Sequence, residues 1–181
     1  MQALYFLLKT VSDFFCALFI LRLLLQWRRI SFANPFGGFV LKLTNWAVLP
    51  LRRIIPGFGG VDWASLIVAL VVQFIFVLLV FGAAGPGFGV SVGMAGGLWL
   101  NLLLLALMNL LRLVIYLFCI VLIVQAVLSW VNPWSPLMPT LRQLTHPLLA
   151  PVQRLIPPIS GIDLSPLVVI LLLQAVLMLL Q

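Results

Sequence analysis

Apolar positions run along this chain in long unbroken stretches, not in the alternating or striped patterns of half-buried elements. Between Asp62 and Arg112 lie 49 consecutive residues without formal charge, between Arg112 and Arg142 another 29, and the 18 residues after Asp163 are also uncharged. Each run can cross the ~30 Å apolar core of a bilayer as a helix. Four spans are predicted. The cleanest is the second, Ala64 to Phe81, 18 residues rich in Leu, Val, Ile and Phe, or about 27 Å of helix. The first, about 4–27, is apolar except for Lys9, Asp13, Arg22 and a few small polar residues, with Lys9 and Asp13 one turn apart on one face. The third falls within Leu98 to Ser129, and its crossing is placed at about 110–129, with the role of Leu98 to Asn109 open. The fourth runs from about 164 to 180. A cleaved signal peptide is disfavoured because Lys9 lies inside the first apolar stretch, Arg22 interrupts it and no small-x-small site follows.

Composition strengthens this picture. Of 181 residues 65% are hydrophobic and only 7% charged, against roughly 25% in soluble domains, so a water-soluble globule is excluded. The formal charge of +7 is spread too thinly for a nucleic-acid surface. Cys16 and Cys119 offer neither a disulfide framework nor a metal-binding spacing, and read as small packing residues.

The chain is written twice. An offset of 103 places Leu7-Leu8-Lys9 on Leu110-Leu111-Arg112, Phe15-Cys16 on Phe118-Cys119 and Trp27 on Trp130. An offset of 101 then aligns Thr44 with Thr145, Pro50 with Pro151, Arg53 with Arg154, Pro56 with Pro157, Gly60 with Gly161, Asp62 with Asp163 and Gln73 with Gln174. This ordered set does not depend on Leu-rich composition. The expected architecture is an all-α membrane protein of four transmembrane helices, arranged as two parallel helical-hairpin repeats: 1–81, a glycine-rich linker 82–97, and 98–181. Each repeat holds a basic amphipathic loop segment. Arg28, Arg29, Lys42, Arg52 and Arg53 lie in the first loop and Arg142 and Arg154 in the second, while the linker has no charge. The bias of Lys and Arg toward the cytoplasm places both loops there and both termini outside. The linker has glycine at 85, 89, 93 and 97, read as loop in preference to a small-xxx-small helix. A fifth span over Phe88 to Asn109 would turn the second unit over and is opposed by the charge rule.

Within Phe39 to Ile55, Lys42, Asn45, Arg52 and Arg53 share an arc of roughly 100° on a helix, suited to the headgroup layer. Arg142, Gln143, His146, Gln153 and Arg154 make a broader polar side in the second loop. Pro50, Pro147 and Pro151 predict that each loop breaks into two short interfacial pieces. The loops either set topology alone or contact anionic lipids or partner proteins. Arg22 is expected to snorkel to the cytoplasmic interface as an anchor, with Lys9 and Arg112 near the opposite one.

The linkers into the second and fourth spans carry the sharpest motif: Arg53, Pro56, Gly60 and Asp62, matched by Arg154, Pro157, Gly161 and Asp163, then Ser165-Pro166. Proline extends the preceding residue, glycine permits a turn, and Asp or Ser caps a helix start. Arg and Asp nine residues apart could also pair at the mouth of a cleft. The run from Arg154 to Pro166, preceded by Ser129-Trp130 and Thr145-His146-Pro147-Leu148, resembles the signature of the YggT family of bacterial integral membrane proteins, which has plastid relatives. The resemblance covers nearly the whole chain as two units. The family pattern usually has an acidic residue where this chain has Asn45 and His146. The resemblance implies a multi-pass inner-membrane protein whose relatives are linked to osmotic tolerance, potassium uptake, cell division or envelope organisation, and cytochrome assembly in plastids.

Candidate chemistry is sparse. Three Asp, no Glu and one His leave paired-carboxylate, metal-ligand and Ser-His-Asp arrangements without parts. Pro56–Gly60 and Gly85–Gly89 lack the residues of a potassium filter and read as turns. The expectation is a non-enzymatic protein without metal or cofactor that organises membrane complexes, docking lipid or partners through Arg28, Arg29, Lys42, Arg52, Arg142 and His146. A homo-oligomer is compatible with its small spans. A channel or transporter subunit affecting potassium or other cation uptake is the alternative.

Overall fold

A computed structural model describes residues 2–55, 57, 60–84, 97–155 and 163–180. Pro56, Pro157, Gly161 and nearly all of the glycine-rich linker lie outside the described residues. Among the described residues six helices follow one another: α1 (Gln2–Trp27), α2 (Pro35–Ile54), α3 (Trp63–Ala84), α4 (Leu98–Val131), α5 (Met138–Leu155) and α6 (Ser165–Leu179). By length and composition α1, α3 and α4 could each cross a membrane, while α6 is a shorter apolar helix of 15 residues.

α1 ends where the chain enters a left-handed turn. Arg29 has φ +53°, and the Ile30 amide reaches back to the Leu25 carbonyl at 2.9 Å, closing the helix end with Ile30 and Leu25 buried together. α2 begins five residues after Ile30, at Pro35. Asn34 Oδ1 accepts from the Gly37 amide at 2.6 Å, and Pro35 supplies the first helical φ. A Cβ on Gly37 would lie 2.8 Å from both Asn34 Oδ1 and the Phe32 Cα, so the cap needs glycine there.

The interhelical core is built from close approach. Cys16, Phe19 and Ile20 of α1 meet Ala64 and Ala69 of α3 and Val48 of α2, and Leu110 of α4 joins the same cluster. Small residues allow close approach at this contact, Cys16 Sγ lying 3.3 Å from the Ala69 carbonyl. Leu122, Leu149 and Val169 gather α4, α5 and α6. Besides Leu110, two further clusters join the halves. Leu102 and Ala106 of α4 pack on Phe76, Val77 and Val80 of α3, and Leu144 of α5 packs among Leu21, Leu25, Ile30 and Val40.

One segment left open is placed here, and one expectation changes. Leu98 to Asn109 continues without a break into residues 110–131 as one 34-residue helix, about 51 Å long. Its burial against α3 through Leu102 and Ala106 supplies the contacts that keep it helical. Nor do the prolines divide the loops. Pro50 lies inside α2, and Pro147 and Pro151 inside α5. A proline leaves the carbonyl four residues earlier without its amide. At Pro147 that carbonyl belongs to Gln143, and Arg28 Nε donates to it at 3.2 Å. Packing of Thr145 and Leu149 on either side holds the rest of α5 in place.

The C-terminal end of α6 meets a similar need. Arg112 donates from its guanidinium, with Nε at 3.0 Å, to the Leu180 carbonyl just past α6. A cation on a free helix-end carbonyl is favoured by both hydrogen bonding and the helix dipole. Because Ala106 is fully buried, replacing it with Phe should overpack the α3–α4 seam and lower stability by about 1–3 kcal/mol, read from unfolding in detergent; an unchanged midpoint would show that this seam is loose.

Candidate functional site

Polar side chains concentrate where α2 and α5 pack against the long apolar helices, and the two halves treat them differently. In the first half, Arg22 is only 2% exposed and Asp62 is fully buried, with Nε to Oδ2 at 3.4 Å. Arg22 Nη1 also donates to Thr44 Oγ1 at 2.8 Å and Asn45 Oδ1 at 2.9 Å. One guanidinium thus ties α1, α2 and the start of α3 together. Asp62 has a second duty: its Oδ2 accepts from the Ser65 hydroxyl at 2.9 Å and its Oδ1 from the Ser65 amide at 3.4 Å, capping α3. Higher in the same α1–α3 seam, Ser12 and Cys16 face Gln73.

Arg22 therefore does not snorkel. Its side chain turns inward because Asp62, Thr44 and Asn45 supply acceptors that lipid cannot. The alternative of a pairing between Arg53 and Asp62 is not realised: Arg53 is exposed, and the ion pair of the buried Asp62 is with Arg22. Among the described residues this is the one ion pair. Arg52 donates to Gln26 Oε1 at 3.1 Å, while Arg29 and Lys42 are exposed. Gly60 takes φ +79°, the left-handed turn expected of it.

In the second half, Thr145 Oγ1 hydrogen-bonds Oε1 of Gln125, not an arginine. Asp163 stays exposed at the helix junction, accepting from Gln153 Nε2 at 2.8 Å and from the Ser165 amide at 2.9 Å. Asp163, and not Arg154, is engaged here; Arg154 is exposed. Ser165 does not act as the cap but is the first residue of α6, its amide taken by Asp163. Burial alone would push the Asp163 carboxyl up, but the hydrogen bonds from Ser165 and Gln153 outweigh it and hold the group below its usual range.

Between α4, α5 and the start of α6 lies a cleft of about 470 Å³, lined by Gln125, Ser129, Arg142, His146, Gln153 and Asp163, with Trp130, Leu149 and Pro166 on its apolar side. Thus Arg142, His146, Asp163 and Pro166, predicted from sequence, come together, whereas Arg28 is drawn to Gln143 and Arg53 and Arg154 stay apart. Among the described residues no three His, Cys, Asp or Glu side chains converge; the cleft offers charge and hydrogen bonding. The residue that sequence reasoning passed over is Gln125; Asn45 and Gln153, read there as parts of headgroup-facing polar arcs, instead bond Arg22 and Asp163. The one signal for Gln125 was the recurrence of Thr44 as Thr145, each needing a polar partner on the preceding apolar helix.

Removing one partner of a buried ion pair leaves the other unpaired in the interior. Arg22→Met alone and Asp62→Leu alone should each lower stability by about 3–5 kcal/mol, while the double variant should lose less than the sum of the singles. Denaturation of all three proteins in detergent checks this; strict additivity would show that the two side chains do not interact.

Comparison with known proteins follows the same lines. The CCB3/YggT family model matches this chain over two segments, residues 1–82 and 104–181. An uncharacterized protein named YggT from Escherichia coli K12 is 38% identical over 97% of this chain and 88% of its own length. Uncharacterized proteins of Pseudomonas aeruginosa and Vibrio alginolyticus are 35% and 38% identical, each over 96% of this chain and over 86% and 91% of their own lengths. No solved structure matches. The chain belongs to the CCB3/YggT family.

Proposed function

We propose that the protein is a non-enzymatic component of the bacterial inner membrane that organises or assists membrane protein complexes and supports tolerance of osmotic stress. In this reading the chain makes four spans as two parallel hairpin units, α6 being the fourth. α2 and α5 lie in the cytoplasmic headgroup layer and both termini are periplasmic, in keeping with the bias of Lys and Arg.

The observation that carries the reading is the joining of the two basic segments at one end of the bundle. Arg28 Nε donates to the Gln143 carbonyl at 3.2 Å, Gln143 Nε2 returns a bond to the Arg28 carbonyl at 3.3 Å, and Asn34 Nδ2 donates to Thr140 Oγ1 at 2.8 Å. On the same two segments Arg29, Lys42, Arg53, Arg142 and Arg154 stand exposed. Such a platform attracts anionic lipid, gaining about 1 kcal/mol for each basic residue near the surface, or an acidic face of a membrane partner. The scarcity of acid-base residues supports the absence of catalysis. Self-association draws on the outward face of α6, where Gln174 is exposed although its counterpart Gln73 is buried.

The competing reading, a channel or transporter subunit affecting potassium or other cation uptake, draws on the buried polar seam of Ser12, Gln73 and Asp62. Against it, Asp62 is already neutralised by Arg22. Two measurements separate the readings. Capture in mild detergent should recover a defined set of membrane proteins that is reduced severalfold by Arg29→Gln, Lys42→Gln and Arg53→Gln together; the same set from that variant would refute docking through α2. Purified protein in liposomes should show no potassium flux above protein-free vesicles, and flux abolished by Asp62→Asn would establish the channel reading instead.

A further inference from the structure

The two polar junctions differ in a way that specifies a ligand. In the first half the guanidinium of Arg22 fills the space between Asp62 and Thr44. In the second half Asp163 and Thr145 recur, but the residue bonded to Thr145 is the uncharged Gln125, and a cleft of about 470 Å³ lies beside it. That volume is within the ~300–1,000 Å³ range of small-molecule sites. Arg142 and His146, one turn apart on α5, line the same cleft. Arg142 has no partner among the described residues, and Asp163 is held by Gln153 and Ser165, not by Arg142. A cation and a carboxylate that face one cleft without meeting form a receptor for a molecule bearing both charges.

We propose that this cleft binds the phosphoethanolamine zwitterion, its ammonium beside Asp163 where the Arg22 guanidinium stands in the first half, and its phosphate against Arg142 and His146. A primary ammonium has three donors, and the Asp163 carboxylate, the Gln125 amide oxygen and the Ser129 hydroxyl can accept them. A trimethylated ammonium has none to give. The bilayer is the nearest source of this group: Trp130, 72% exposed on the cleft wall, is the residue type that settles at headgroup depth. The inference is independent of docking through α2, since it needs no protein partner and none of the α2 cations.

Delipidated protein in detergent is titrated calorimetrically with short-chain phosphatidylethanolamine, phosphatidylcholine and phosphatidylglycerol, and separately with glycerophosphoethanolamine. The ethanolamine lipid should bind about tenfold more tightly than the other two, a difference of about 1.4 kcal/mol. Asp163→Asn, nearly isosteric and exposed, should erase that preference. Arg142→Gln should weaken all three lipids alike, and Gln125→Arg, which restores the guanidinium of the first half, should block binding. Glycerophosphoethanolamine binding as tightly as the lipid upholds the site with a soluble ester as its ligand, and weaker binding upholds it with bilayer lipid. Equal affinity for the three lipids, a preference for phosphatidylglycerol, or an unchanged preference in Asp163→Asn protein of native helix content overturns the proposal.

Discussion

The buried contact of Arg22 with Asp62 is the constraint around which the rest of the first half is arranged. A guanidinium in the interior is tolerated when an opposing charge and hydrogen-bond acceptors are brought to it. Asp62 supplies the charge 3.4 Å from Nε, and Thr44 and Asn45 accept from Nη1, while Nε itself makes no hydrogen bond. Because α2 must present Thr44 and Asn45 inward, its polar arc is split: Asn45 turns to the core side while Lys42 stays outside. Because Asp62 must reach α1, the turn before α3 is drawn into the bundle, and the same carboxylate caps α3. Ion pairing, helix orientation and helix initiation are therefore one event.

The second half keeps the acceptors and omits the cation. With Gln125 in place of an arginine, Thr145 is still satisfied, but Asp163 remains at the surface and the volume beside it stays open. One substitution at a matched position thus separates a half that is filled by its own side chain from a half that can receive something else. The basic helix α5 serves both halves. Leu144 packs into the first-half cluster, and the carbonyl released by Pro147 is taken up by Arg28. A proline that would break an isolated helix here creates the acceptor that joins the two basic segments.

Much of the scaffold was legible without coordinates. The first two spans agree with α1 and α3 within a few residues, since unbroken apolar runs of that length have few alternatives to helix in an apolar medium. Asp62 and Asp163 were recognisable as helix-starting residues, and Gly60 as a left-handed turn, because both roles are local. What was not legible involved partners distant in sequence. Arg22 looked like an interfacial anchor because its nearest landmark along the chain is Trp27; its actual partner is 40 positions away. Arg53 and Arg154 looked like partners for the aspartates because they are close in sequence, yet the turns leave both pointing outward.

The sequence alone, then, determined the apolar helices, the duplicated order of Thr, Pro, Arg, Gly and Asp, and the concentration of most of the charge in two loops, because hydropathy, φ preference and charge act over a few residues at a time. Only the tertiary structure decided which aspartate is neutralised, which proline carbonyl finds a donor, and which half is left with an open polar cleft. Burial makes a polar group seek whatever acceptor the packing brings nearest, and that choice is written in three-dimensional distance.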